Sequence, residues 1–407
     1  MRRLALPLAS TVLAATIADA EVRISIGTES PDQLPPMIAE MIREHGATLR
    51  HTLPRLAAAS FVVEDTAVLD RIRCNSAIAE VADYIELVGR ASVPRGEVPY
   101  DIAFEPGVRR RPVGTYNPDD PDYSKQWPIS CIQADKAWDV IQGGNVTIAI
   151  VDTGIDLYHE DLRSNCNTVD DWDFVNNDDF PLDDYGHGTH VGGIASAIID
   201  NGAGIAGCFQ ATLLAVKVLD SNGYGWWDDV AAGIDHSVEK GADVINMSLG
   251  GGSDDSLLKA ACDAAYAAGV LVVAAAGNDG PLFFANYPAN YTSVIGVGAL
   301  GGFIFGDCEK AAFFSQRGFG DDNSRGNVEV MAPGKFVYSC YPNDEYTRMD
   351  GTSMAAPHVA ALCAAYRAYV PSWSAEQIRH HIQANADNLG GKFTFGYGRI
   401  DFFPPID

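Results

Sequence analysis

Three segments of the chain carry residue types from which acyl-transfer chemistry could be assembled. Ala149-Ile150-Val151-Asp152-Thr153-Gly154 is an apolar run that ends on a carboxylate. Tyr185-Gly186-His187-Gly188-Thr189-His190-Val191-Gly192-Gly193 sets an imidazole among glycines, which let other backbone come close. Gly351-Thr352-Ser353-Met354-Ala355-Ala356-Pro357-His358-Val359 puts a hydroxyl where a helix should begin, in a field that favours developing negative charge. Each segment alone also has an ordinary structural reading. An Asp at a strand end caps or turns, a lone His is more often structural, and a Ser caps a helix. Together they supply acid, imidazole and hydroxyl. A serine hydroxyl is a poor nucleophile until a neighbouring imidazole accepts its proton. His190 and His358 read as buried, hydrogen-bonding helix residues with no catalytic part.

These groups need a scaffold that brings distant segments to one edge. From about residue 115, continuous apolar runs at Val146–Val151, Leu213–Val218, Val244–Ile245, Leu271–Ala275 and Val294–Val297 suit parallel strands covered on both faces. Helical spacing fills His190–Ile199, Trp227–Lys240 and Met354–Tyr369, and Ser374-x-x-Gln377 signals a further helix to about Ala386. The alternation predicts an α/β domain, a doubly wound and mostly parallel sheet, with ligands at the carboxyl ends of the strands. Residues 22–88 differ. Their order reads β-α-β-β-α-β, a small ferredoxin-like α+β unit whose last strand would run from Ala77 to Val88. Residues 89–114 lose apolar period and hold Pro94, Gly96, Pro99, Pro106, Gly107 and Arg109-Arg110-Arg111, so they read as an exposed linker open to proteolysis. The arginine run is either a processing signal or a solvated patch.

Composition bounds the function. The 407 residues carry 28 Lys+Arg against 54 Asp+Glu, a net charge of −26. Residues 1–111 hold 13 basic and 15 acidic side chains, so nearly all the excess lies beyond them. So acidic a chain is a poor partner for nucleic acid or an anionic membrane, and no membrane association is expected. Arg2 and Arg3, the apolar Leu4–Ile17 and Ala18-Asp19-Ala20 fit a cleaved signal peptide, residues 1–20, and so predict a secreted, extracellular protein. Export permits disulfides. There are eight cysteines and no C-x-x-C pair, and their connectivity cannot be read from the sequence.

With those motifs in place, the chain from about 118 to 401 resembles the subtilisin-family serine endopeptidases, in pattern the thermitase-like branch. The order Asp, His, Ser is a known property of that family. The resemblance implies Ser353 as nucleophile, His187 as general base and then acid, and Asp152 as the carboxylate orienting His187. In Ala274-Ala275-Ala276-Gly277-Asn278-Asp279-Gly280, Asn278 matches the family's side-chain oxyanion donor, with the Ser353 N–H as the second. Ser248-Leu249-Gly250-Gly251 resembles the edge that pairs with an extended peptide. Ala275, Ala276 and Gly277 match the opposite wall, Asn286 the pocket floor, and Gly223 and Trp227 the outer binding segment. Nothing acidic occupies these positions, so an apolar or aromatic preference is expected rather than a requirement for Arg or Lys.

The resemblance also implies structural Ca²⁺, held by Asp120, Asp161 and Asn201 with the carbonyls of Ile198, Ala203 and Ile205, an all-oxygen shell. A second site near Asp173 and Asp178 would be weaker or absent, because Asn176 and Leu182 depart from the pattern. Residues 21–111 would be an inhibitory propeptide and linker, an intramolecular partner of a peptidase domain at 112–407, and the mature protein a monomer acting on protein and peptide substrates. Another class stays open: a catalytically inactive homologue that binds peptides or proteins.

Overall fold

The computed structural model describes residues 21–79, 81–97, 99, 116–302, 306–318 and 327–402. The leader at 1–20 and the run Arg109–Arg111 lie outside these described residues. At the N-terminal end, β1 (Val22–Thr28), β2 (Thr48–Leu53), β3 (Ala58–Val63) and β4 (Ala82–Leu87) form an antiparallel sheet in the order β2-β3-β1-β4. Ile24, Ile26, Met37, Met41, Phe61 and Ile72 fill the core between this sheet and the helices Leu34–His45 and Ala67–Arg73. The first helix ends at Gly46, left-handed with φ 62°. The last strand is shorter than the run 77–88 suggests. Asn75 Oδ1 accepts from the N–H groups of Ala77 and Ile78 at 3.0 and 3.4 Å, which caps a helical turn at Ser76–Ala79 and delays the strand.

The linker is not simply exposed. Arg90–Ser92 forms a short strand, β5, and Ala91, Pro94 and Glu97 are buried. Beyond it the chain builds β6 (Gly143–Asp152), β7 (Cys166–Asp173), β8 (Gln210–Lys217), a short β9 (Tyr224–Trp226), β10 (Val244–Met247), β11 (Leu271–Ala275), β12 (Val294–Leu300) and β13 (Val330–Pro333). All but β9 join one parallel sheet, ordered β13-β12-β11-β10-β6-β8-β7. Both faces are covered, which is why the runs lack polar alternation. Ile148 and Ile150 pack on the side of the helices His187–Ser196 and Thr352–Tyr369. Ala149 and Val151 pack on the side of Trp227–Glu239 and Ser256–Ala267. The helix Ala375–Asn385 opens with the expected capping box of Ser374 and Gln377. One disulfide, Cys131–Cys308, is present among the described residues.

The N-terminal unit rests on the helices Trp227–Glu239 and Ser256–Ala267. Arg23 Nη1 donates to Asp228 Oδ1 and Asp229 Oδ2, both at 2.8 Å, and Ser60 Oγ donates to Asp228 Oδ2 at 2.8 Å. Arg50 and His51 meet Asp229 Oδ1 at 3.1 and 2.8 Å. Glu86 accepts from the N–H and hydroxyl of Ser256 at 3.2 and 2.7 Å, at the positive end of that helix. The guanidinium groups of Arg23 and Arg90 lie over the Trp226 ring at 4.9 and 3.7 Å.

Candidate active site

The chain order within the sheet reverses about β6, and at such a switch point the carboxyl ends of the strands open a crevice. Asp152 ends β6 there. Its Oδ1 lies 2.7 Å from His187 Nδ1, with both groups buried. His187 opens its helix because the preceding loop is tied to Asp183. That carboxylate accepts from the N–H groups of Tyr185, Gly186 and Thr189 and from the hydroxyls of Thr153 and Thr189. A Cβ on Gly188 would lie 2.1 Å from the Gly154 carbonyl oxygen, so only glycine lets helix and strand end approach this closely.

Ser353 is the second residue of the helix Thr352–Tyr369 and fully buried. Its Oγ donates to the Ser248 carbonyl at 2.9 Å, not to His187. His187 Nε2 instead meets Glu97 Oε2 at 2.7 Å. Asn278 follows β11 with its amide aimed by Thr352, whose N–H and Oγ1 both donate to Asn278 Oδ1 at 2.9 Å. The Asn278 Nδ2 donor therefore faces the crevice. It reaches Glu97 Oε1 at 2.6 Å, and the Ser353 N–H points at the same oxygen from 3.4 Å. Burial alone would discharge the His187 imidazolium. Asp152, by charge and hydrogen bond, and then Glu97 overcome this and lift it from 6.5 to about 10. Burial raises the Glu97 carboxyl above its ordinary value, against the bonds from His187, Ser353 and Asn278. His190 and His358, bonded to the carbonyls of Thr347 and Met354, are pushed by burial to about 3 and stay neutral.

The crevice continues into a cleft of about 380 Å³ whose lining includes Gly250, Gly251, Asn278, Asp279, Phe283 and Asn286. Gly250 exchanges backbone hydrogen bonds with Ser92 at 3.0 and 3.2 Å, and the Gly223 carbonyl accepts from Val93 N–H at 2.9 Å. Gly277 (φ 110°) borders Asn286 and the buried Gln316, whose Nε2 donates to Asn286 Oδ1 at 3.1 Å. Leu249, Ala275, Ala276 and Trp227 are wholly buried and support the walls from behind; Trp227 lies beneath Gly89 and Gly251. Four groups escaped the sequence reading: Glu97, Thr352 as the support of Asn278, Gln316, and Asp279 as an acidic member of the lining. Thr352 and Asp279 stood inside motifs already singled out. Glu97 stood in a linker with no pattern to mark it.

Away from the cleft, Asp120 and Asp161 are buried in one loop cluster. Asp120 accepts from the N–H groups of Asp200 and Asn201, and Asp161 from Ile205 N–H at 2.9 Å and Asn201 Nδ2 at 2.8 Å. Ile198 N–H bonds the Asp161 carbonyl and Ala203 N–H bonds Asn201 Oδ1, so all six predicted residues share this cluster. Burial, with Asp120 adding to it, pushes Asp161 up to about 7 against the bonds from Ile205 and Asn201. Carboxylate oxygens of Asp119, Asp120 and Asp200 lie within 4.8 Å of one another. This is an oxygen-rich cluster of converging carboxylates that could hold a metal ion. At the second locus, Asp173 is engaged by the N–H groups of Val175 and Asn176 and the Asn176 amide, while Asp178 caps Phe180 N–H.

A parallel sheet with this constellation at its carboxyl edge defines a class, and the comparisons name it. Residues 143–398 match the Subtilase family, and the chain belongs to that family. It is a serine endopeptidase of the subtilisin type. It is 44% identical to Subtilisin DY of Bacillus licheniformis over 279 residues, covering 67% of this chain and 95% of that protein. It is 41% identical to Thermitase of Thermoactinomyces vulgaris over 294 residues, covering 72% and 99%. Among solved structures it is similar to fervidolysin from Fervidobacterium pennivorans, a keratinolytic enzyme related to subtilisin, with TM-score 0.77 and 26% identity. That match covers 94% of this chain and 60% of the fervidolysin chain.

Proposed function

We propose that the chain is the precursor of a secreted, broadly acting endopeptidase that cleaves peptide bonds through Asp152, His187 and Ser353. The observation that carries this reading is the convergence of Asn278 Nδ2 and Ser353 N–H on a single oxygen, Glu97 Oε1, beside His187 Nε2. That oxygen stands in for the oxyanion of a tetrahedral intermediate. In turnover Ser353 Oγ leaves Ser248, gives its proton to His187 Nε2 and bonds the substrate carbonyl carbon. The carbonyl oxygen takes the negative charge between the two donors, and Asp152 holds the imidazolium. His187 then protonates the departing amine as the C–N bond breaks. Water repeats the sequence on the acyl-enzyme and frees Ser353.

The cleft supports an extended substrate strand added to the edges at Gly223 and Gly250. Apolar and aromatic side chains before the cut bond are favoured, with Asn286 and Gln316 adding polar contacts at the back. Residues 21–111 are an inhibitory propeptide and its linker, with β5 seated where substrate lies. The first cut falls within 88–96. The Arg95 carbonyl, 3.4 Å from Asn278 Nδ2, marks the bond after Arg95, a cut in cis set by where β5 holds the chain and not by the side-chain preference shown toward other substrates. Ca²⁺ is the ion suited to the Asp120–Asp161–Asn201 cluster, where it would tie the arm at Asp120 to the two loops. Labelling by a fluorophosphonate tests the central claim. The processed protein is expected to be labelled at Ser353, and Ser353→Ala to remain an uncut precursor. A folded, processed chain that takes no label leaves the binding-protein alternative standing.

A further inference from the structure

We propose that the catalytic centre binds a carboxylate, and that Glu97 fills this site in cis as a latch that holds the precursor uncut. The inference rests on the zymogen reading above and goes beyond it. Strand pairing at β5 explains how the linker occupies the cleft, but not why a peptide held against an assembled catalytic centre stays intact.

The geometry supplies the reason. From Ser92 to Arg95 the chain runs along the cleft as substrate would, bonded to Gly250, Gly223 and, through the Arg95 carbonyl, to Asn278. The position between the two oxyanion donors is nevertheless taken by a side-chain oxygen of Glu97, not by a peptide carbonyl. A carboxylate there meets donors arranged for negative charge, which offset part of the cost of burying it. It is also inert, since its carbon is a poor electrophile. Its second oxygen sits on His187 Nε2, the atom that must receive the serine proton, and Ser353 Oγ is turned to Ser248. Glu97 thus blocks nucleophile activation and oxyanion binding with one group.

The fit is built. Glu97 is 2% exposed, and all three of its polar contacts in the centre come from catalytic groups. A Cβ on Gly351 would lie 2.0 Å from Glu97 Oε1, so the bare backbone before Ser353 makes room for the carboxylate. For the first cut, Glu97 withdraws, the Arg95 carbonyl settles between the donors, and His187 is freed.

The test follows processing of the full precursor in a protease-free host for the unaltered chain, Glu97→Gln, Glu97→Ala and Ser353→Ala. Both Glu97 variants are expected to reach the first cut at least tenfold sooner. A second measurement avoids precursor folding: the processed enzyme is assayed with a synthetic peptide of residues 89–99 and with its Glu97→Gln counterpart. The unaltered peptide is expected to inhibit at least tenfold more tightly. Wild-type processing rates in both variants, or equal inhibition by the two peptides, overturns the latch while leaving the protease assignment intact. Normal cutting of Ser353→Ala instead overturns the self-processing reading on which the latch rests.

Discussion

At the scale of single residues, chemistry rests on how neighbours aim each group. Asn278 donates into the crevice only because Thr352 holds its oxygen from two sides. Asn278→Ala is expected to lower kcat by about a hundredfold or more with little change in KM, a loss near 3 kcal/mol known for this donor in subtilisin itself. A comparable rise in KM with kcat unchanged would assign Asn278 to ground-state binding. His187 and Glu97 give the precursor a pH dependence with a definite sign. Both hold protons more tightly docked than free, so the docked state is the more protonated one and rising pH weakens it. For His187 only the part supplied by Glu97 is lost on undocking, because Asp152 stays in place, and that part fades as pH climbs through about 10. The first cut should therefore accelerate from pH 6.5 toward 9, measured by gel in the purified precursor. A rate that falls over that range contradicts the assignment.

Elements decide how the precursor is held. The faces of β1 and β2 away from their own core present Arg23, Arg50 and His51 to Asp228 and Asp229, at the start of the helix beneath the outer binding segment. Arg23 and Asp228 are buried, and removing one partner leaves the other charge desolvated and unpaired. Added in trans, a folded 21–95 fragment is expected to inhibit the processed enzyme until it is digested. Arg23→Ala in that fragment should weaken inhibition by roughly a hundredfold, about 3 kcal/mol. Equal inhibition by both fragments would show that β5 alone carries the affinity.

For the whole molecule, the acidic excess matters where carboxylates meet inside the fold. The Asp120 and Asp161 cluster joins the arm before the catalytic domain to the loops at 198–205. A cation bound only by the native state raises stability by about 3 kcal/mol at a hundredfold excess over Kd. Thermal inactivation of the processed enzyme is thus expected to be markedly faster in chelator than in Ca²⁺, and identical rates would remove the structural ion. No helix among the described residues is long and apolar enough to cross a membrane.

Local chemistry determined much of this protein from the sequence alone. The apolar runs suited covered parallel strands, and Asp152, His187 and Ser353 sat in segments dense enough with glycine and small residues to mark them. Elements with weaker signals were passed over: β7, whose residues are partly polar, and the helix Ser256–Ala267, which the apolar pattern did not single out. Tertiary structure decided what periodicity cannot encode, namely which lone polar groups meet across long separations. Glu97 lies 90 residues from His187 and 256 from Ser353 in a segment without pattern. Asp119 and Asp200 stand 81 residues apart, and only the fold closes them on one another. A side chain's burial and partners are set by the packing of every element around it, and a residue in a linker carries no local trace of the cavity into which that linker is laid.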